Sequence, residues 1–352
     1  DADLTQVGAP ITLEDPSFGL AIGPTGYLYL TSLDFSANPT QPTDGKLSVL
    51  NGDGGLVVRV ATTGVTPYGV TVDDDGIAYV TDPLRSTIYT VDPFGRGIIG
   101  TLEAPAGSLA LDIGPDGLLY VPNQISRSIV VLDPSDLIIE PGGGQELNAD
   151  IDVFAENIGT LAIGLALDGN GGLYVTDLGL RISENGEQLP GTGAIIYLGP
   201  DGLPVGDPVS LNGNPWGVAV GNGGLLYVSD YASGTIWVVD AAAQSVEEFA
   251  SVPGQGATLA TDGAGNVYVI GFEAPSELEE FSTFTLHIFD AAGSETGTLP
   301  ASGPAFAVTA DGKIYIPISD GSGSATYTEI RVLNADGTEA APAISLQAVS
   351  SA

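Results

Sequence analysis

Apolar residues along this chain come in short runs bounded by Gly, Pro, Asp or Asn, and the runs show no helical period. Ile77-Ala-Tyr-Val-Thr81, Thr87-Ile-Tyr-Thr-Val91, Ile129-Val-Val-Leu132 and Ile236-Trp-Val-Val239 are typical. Runs of this length, rich in β-branched and aromatic residues and apolar without clean alternation, predict short strands buried on both faces. More polar strands, such as Gly55-Leu-Val-Val-Arg-Val60, follow them and predict an outer, solvent-facing position.

A longer period organises these runs. A Gly-x-x-Tyr pair recurs seven times, at Gly26/Tyr29, Gly76/Tyr79, Gly117/Tyr120, Gly171/Tyr174, Gly224/Tyr227, Gly265/Tyr268 and Gly312/Tyr315. A small residue lies five positions before the glycine in six repeats (Ala21, Thr71, Ala166, Ala219, Ala260, Ala307). In the third it is read as Ala110, seven back, with Gly114-Pro115 as a two-residue insertion. Each repeat reads strand, glycine turn, strand, loop, strand, then an outer strand. Units of this size stack radially because one alone cannot bury its faces. The predicted fold is all-β: one seven-bladed β-propeller of four-stranded antiparallel blades over residues 1–352, its inner repeats starting near 19, 69, 108, 164, 217, 258 and 305.

The strand count predicts one strand too many. Val7-Gly-Ala-Pro-Ile-Thr-Leu13 matches Val205-Gly-Asp-Pro-Val-Ser-Leu211, an outermost strand, and Ala340-Ala-Pro-Ala-Ile-Ser-Leu346 carries the same signature. Both ends therefore read as outer strands, over 7–13 and 340–348, and one is surplus at an edge. Val7, Ile11, Leu13, Ile344 and Leu346 are the candidate self-association residues, by addition to a free edge of a second copy. Head-to-tail donation of this kind need not close and would give a fibre. Longer segments at Asp34–Asp44, Pro134–Asn148 and Gly271–Ser282 decorate the rims, the last as a short acidic helix.

Composition narrows the function. Eight basic against 44 acidic residues give a net charge of −36, which excludes a protein that tracks nucleic-acid phosphates. No apolar run is long enough to span a bilayer. The sequence has no cysteine, so there is no disulfide, thiolate metal site or cysteine nucleophile. It has no methionine either, and the expectation is an exported prokaryotic chain, extracellular or on the cell surface, whose signal has been removed. So acidic a surface suits surroundings where salt or divalent cations screen it.

Pro67-Tyr-Gly-Val-Thr-Val-Asp-Asp-Asp-Gly-Ile-Ala-Tyr-Val-Thr-Asp82 and Pro215-Trp-Gly-Val-Ala-Val-Gly-Asn-Gly-Gly-Leu-Leu-Tyr-Val-Ser-Asp230 resemble the repeats of NHL and SMP-30/gluconolactonase-like propellers. The resemblance covers essentially the whole chain. It implies a propeller, and in its hydrolase branch a calcium ion held at the channel mouth by Asn, Asp and Glu from just before the innermost strands. Here those positions read as Phe18, Tyr68, Gly107, Ile163, Trp216, Ala257 and Pro304, none of them a cation ligand. Phe18, Tyr68, Ile163 and Trp216 form either an apolar seat for a ligand or a cap on the core between blades.

Ser32, Asp82, Asn123, Asp177 and Asp230 end the second strands. Asp82, Asn123, Asp177 and Asp230 either converge on calcium or bond nearby backbone amides as turn residues do. Streptogramin-lyase-like propellers, which the repeat also resembles, need a catalytic histidine. The single histidine here, His287, falls on a third strand, away from the axis. No nucleophile elbow, phosphate loop or zinc spacing occurs. The leading expectation is a non-catalytic structural or adhesive surface unit, partnered by itself or another surface component and requiring no cofactor. The alternatives are a calcium-dependent SMP-30-like lactonase or lyase, and a sensor module using the aromatic mouth.

Overall fold

The computed structural model describes residues 17–34, 44–50, 56–62, 66–92, 97–104, 107–134, 152–159, 161–179, 181–182, 188–189, 192–273, 283–301, 303–319, 327–334 and 339–345. Seven four-stranded antiparallel sheets follow one another along the chain. Blade one is β1 (Ser17–Ile22), β2 (Leu28–Asp34), β3 (Asp44–Leu50) and β4 (Leu56–Thr62). Blade two is β5 (Val70–Val72), β6 (Ala78–Asp82), β7 (Thr87–Val91) and β8 (Ile98–Glu103). Blade three is β9 (Asp112–Ile113), β10 (Leu119–Asn123), β11 (Ser128–Leu132) and β12 (Asp152–Ala155).

Blade four is β13 (Ala162–Leu167), β14 (Leu173–Asp177), β17 (Ala194–Leu198) and β18 (Val209–Ser210). A small hairpin of β15 (Arg181–Ile182) and β16 (Gln188–Leu189) is inserted before its third strand, and nothing in the repeat pattern announces it. Blade five is β19 (Pro215–Val220), β20 (Leu226–Asp230), β21 (Thr235–Asp240) and β22 (Ser245–Ser251). Blade six is β23 (Gln255–Thr261), β24 (Val267–Glu273), β25 (Thr283–Phe289) and β26 (Glu295–Ala301). Blade seven is β27 (Ala307–Val308), β28 (Ile314–Ser319), β29 (Tyr327–Leu333) and β30 (Glu339–Ser345). The protein is a seven-bladed β-propeller.

The repeat has a physical cause at each position. The turn glycines Gly26, Gly76, Gly117, Gly171, Gly224, Gly265 and Gly312 all have φ between 78° and 90°, where a side chain is strained. The tyrosine three residues on is tied to a turn in several blades. Tyr79, Tyr120 and Tyr268 each donate at 2.8 Å to Asp73, Asp116 and Asp262 of their own turn. Tyr29 instead reaches the Gly76 carbonyl in the next blade at 3.0 Å. Second strands are buried throughout in blades two, three and five, as expected for sheets covered on both faces.

Strand register corrects the third repeat. Ala21, Thr71, Ala166, Ala219, Ala260 and Ala307 each pair with the repeat tyrosine. In blade three that partner of Tyr120 is Asp112, not Ala110. The turn Gly114-Pro115-Asp116-Gly117 closes with the same hydrogen bonds as Asp73-Asp74-Asp75-Gly76, so Gly114-Pro115 is no insertion. The residue before the innermost strand is correspondingly Leu109 rather than Gly107.

The ring closes without a shared blade. Strand β30 pairs with β29, Ile344 opposite Ile330, and completes blade seven from the C-terminal side alone. Blades seven and one then meet through a core of Leu28, Leu30, Leu50, Ala305, Ile330 and Val332. The candidate strand with Val7, Ile11 and Leu13, the residue Leu346, and most of the three long rim segments, with the acidic helix expected there, lie outside the described residues.

Candidate functional site

The seven innermost strands present one cavity of about 540 Å³. Phe18, Tyr68, Leu109, Ile163, Trp216, Ala257 and Pro304 all line it, one from each blade, which puts it on the propeller axis. Phe18, Tyr68, Ile163 and Trp216, named from sequence as a group, are thus brought together. Phe272 and Phe284 complete the wall from the second and third strands of blade six, and Tyr231 from the turn just after β20 in blade five. Among the described lining residues none carries a charge.

The aromatic rings form a pair and an arc of four. Phe18 and Tyr68 meet at 5.0 Å, Trp216 stacks on Tyr231 at 4.7 Å, Tyr231 meets Phe272 at 5.6 Å, and Phe272 stacks on Phe284 at 5.7 Å. Such offset and tilted pairs fix the rings relative to one another. Burial raises the Tyr68 phenol above its ordinary pKa, and the nearby Tyr231 phenol adds to the effect. The Tyr68 phenol therefore stays a neutral hydrogen-bond donor at physiological pH.

The mouth is held open by a bond that recurs between blades. Thr31, Thr81, Thr176 and Ser229 stand two residues after the repeat tyrosine. Each hydroxyl accepts from an inner-strand N–H of its own blade, from Gly19, Gly69, Gly164 and Gly217 at 2.7–3.0 Å. Each also donates across to the next blade, to the carbonyls of Tyr68, Leu109, Trp216 and Ala257 at 2.5–2.9 Å. Three of these inner strands shift register here, so the hydroxyl takes over an N–H that the ladder leaves. A Cβ at Gly164 would sit 2.5 Å from the Trp216 oxygen, so glycine is the residue that lets the blades approach.

The acidic positions at the ends of second strands do not converge. Asp82 accepts from Thr66 N–H and hydroxyl, from Leu84 and Arg85 N–H, and from the Arg85 guanidinium at 3.1 Å. Asp230 accepts from Asn214, Ala232 and Ser233 N–H at 2.8–2.9 Å. Asp177 accepts from Leu161 and Gly179, and Asn123 from Ile125 and Ser126. They clamp loops. Among the described residues no three acidic or histidine side chains form a group able to hold a metal.

His287 lies on β25, third strand of blade six, 6% exposed, with Nδ1 2.6 Å from Glu295 Oε1. It is not among the residues of the mouth. Sequence reasoning missed two features. One is the hydroxyl bridge, which the recurring Thr or Ser two positions after the tyrosine could have revealed. The other is Asp112, hidden by the misplaced insertion. Burial pushes the Asp112 carboxyl up to about 6, with a backbone hydrogen bond from Ile113 working the other way.

The NHL repeat model matches residues 212–239, from the approach to β19 into β21. Blade five of the propeller thus carries an NHL repeat. No curated protein matches it in sequence. Solved propellers match it in shape. Virginiamycin B lyase from Staphylococcus aureus, as the selenomethionine protein, is 14% identical over 92% of this chain and 97% of its own, with a TM-score of 0.61. Hydrazine synthase from Kuenenia stuttgartiensis is 12% identical over 89% and 95%, with a TM-score of 0.64. A catalytically inactive histidine-to-alanine variant of the same lyase, with quinupristin, is 15% identical over 90% and 96%, at 0.61. At these identities the likeness is one of fold. No described helix of the propeller is long and apolar enough to cross a membrane.

Proposed function

We propose that this NHL-repeat propeller is a non-catalytic recognition unit of an exported, acidic surface protein, binding an apolar or aromatic ligand at its axial mouth. The observation that carries the reading is the lining of the cavity, which has an arc of aromatic rings and no charged side chain among the described residues. The described wall offers no carboxylate, imidazole or amine for acid–base or metal-assisted chemistry, its titratable groups being the phenols of Tyr68 and Tyr231. Rigid aromatic walls instead supply contact area at low entropic cost. The lyase that shares the fold loses activity when a histidine is replaced, whereas this chain's one histidine pairs with Glu295 away from the mouth. A calcium-dependent lactonase would need oxygen ligands that the inner-strand positions do not offer.

The test is a titration with the neutral fluorescent probe N-phenyl-1-naphthylamine. Saturable binding that weakens roughly tenfold in Trp216→Ala, with the fold intact, is expected from the loss of one large ring. Binding unchanged in that variant, or turnover of lactones in excess calcium, overturns the reading.

A second reading is favoured by the strand count. Blade seven is filled by β30, so the outer-strand signature of residues 7–13 is surplus to the seven complete blades and is the candidate donor to a neighbouring copy. Light scattering and negative-stain microscopy of the full chain and of one lacking residues 1–14 decide it. Regular polymers that vanish on truncation support donation. Monomers in both preparations sink it and leave the mouth as the binding surface.

A further inference from the structure

Asp112 departs from the small-residue ring around the axis. The equivalent positions hold Ala21, Thr71, Ala166, Ala219, Ala260 and Ala307, so six of seven are uncharged and compact. Asp112 stands two residues beyond Ala110, which lines the cavity, and so within roughly 7 Å of it along the chain, although it is not itself one of the lining residues. It is partly exposed although it belongs to an innermost strand.

Among the described residues the carboxyl has no cation to pair with. Its β9 neighbours are β5 and β13, and the residues Val-Thr-Val and Ala-Ile-Gly-Leu-Ala-Leu carry no charge. On β10 the one titratable group is Tyr120, whose hydroxyl is committed to Asp116. Asp112 Oδ1 accepts from Ile113 N–H at 2.9 Å, and no charged side chain acts on the carboxyl among the described residues. A buried carboxylate without a partner is costly, and a bound positive charge relieves that cost. A divalent metal would need several oxygens where only one acidic group stands.

We propose that the axis is a site for a monovalent organic cation, an alkyl- or arylammonium ion whose apolar body lies against the mouth rings and whose charge is directed to Asp112. The proposal rests on the mouth being a binding site, and specifies what enters it. Ring faces carry negative electrostatic potential and attract such cations, most strongly at Trp. The net charge of −36 draws them toward the protein.

The experiment compares benzyltrimethylammonium with neopentylbenzene, its uncharged carbon isostere, by calorimetry on the full chain, its Asp112→Asn variant and its Trp216→Ala variant. The native protein is expected to bind the cation about tenfold more tightly than the isostere, a typical gain for a desolvated cation against rings and a carboxylate. Asp112→Asn is expected to bring the two affinities together while the isostere's own affinity stays, which also shows that the variant folds. Trp216→Ala is expected to weaken both. Equal affinities in the native protein overturn the proposal and leave the mouth as an apolar site. A preference that survives Asp112→Asn also overturns it, assigning the effect to the general acidic field. Failure of both probes to bind overturns the proposal together with the function on which it rests.

Discussion

The hydroxyl of Thr176 in blade four donates to the main-chain carbonyl of Trp216 in blade five at 2.8 Å, and accepts from Gly164 N–H at 2.7 Å. The residue that supplies the largest ring of the mouth is thus held through its backbone by the neighbouring blade. Thr176→Val keeps the shape and deletes both bonds in a site that water cannot refill. The expected loss is about 1–3 kcal/mol in denaturant unfolding, recovered by Thr176→Ser. Equal stability of Val and Thr would show that the bridge contributes nothing.

Gly164→Ala tests the closeness of the same blades. The added methyl would meet the Trp216 oxygen at 2.5 Å and the Thr176 hydroxyl at 3.1 Å. An overpacking cost of about 1–3 kcal/mol is expected, along with a shift in the emission of Trp216 read in a Trp237→Phe background. Gly223→Ala, where a Cβ meets nothing within 4 Å but φ is 73°, is the control for strain without crowding.

Asp112 gives a pH signature with a definite sign. Its carboxyl is raised by burial to about 6 in the folded protein, against about 3.9 in an unfolded chain. Between those values the folded state holds a proton that the unfolded state has lost, so this group's contribution falls as pH rises through the window and stays low above it. Asp112→Asn is therefore expected to be more stable than the native chain at neutral pH by roughly 1–3 kcal/mol, the two converging below about pH 4. Chemical denaturation at a series of pH values reads the difference directly. A variant less stable at neutral pH would contradict it.

Asp230 is expected to behave as a clamp. Its two oxygens take three backbone N–H groups from both flanking loops. Asp230→Ala leaves those donors unmet at a cost of about 2–3 kcal/mol, while added calcium or a chelator is expected to leave the native melting temperature unmoved. A calcium-dependent rise abolished by this substitution would reinstate the metal reading for Asp82, Asn123, Asp177 and Asp230.

Much of the architecture was legible because its repeat obeys local rules. A left-handed glycine and a tyrosine three residues later recur in every blade, and the turn itself requires the glycine. Asp112 was misread because Ala110, a small residue close by, satisfied the pattern at the cost of an insertion, and strand pairing alone distinguishes the two. The mouth was half legible. Trp216 and Tyr68 precede inner strands in the sequence, but Tyr231 and Phe272 reach the same cavity from four residues after the repeat tyrosine, where the other blades carry Leu33, Pro83, Gln124, Leu178 and Ser319 and no aromatic pattern shows. The hairpin of Arg181–Leu189 pairs only within itself and leaves no trace in the repeat.

The hydroxyl bridges run from blade one to two, two to three, four to five and five to six. At the corresponding positions of blades three, six and seven stand Pro122, Ile270 and Pro317, which have no side-chain donor. The hydroxyl bridges consequently divide the circle into two triplets of blades and a lone seventh, which among the described residues is still tied to blade six by the Gly263 N–H donating to the Ala310 carbonyl at 3.0 Å. Native-state hydrogen exchange would then show the C-terminal blade detaching first, in the manner of a terminal unit of a linear repeat array. What is drawn as a closed ring would loosen as an open sequence with two ends.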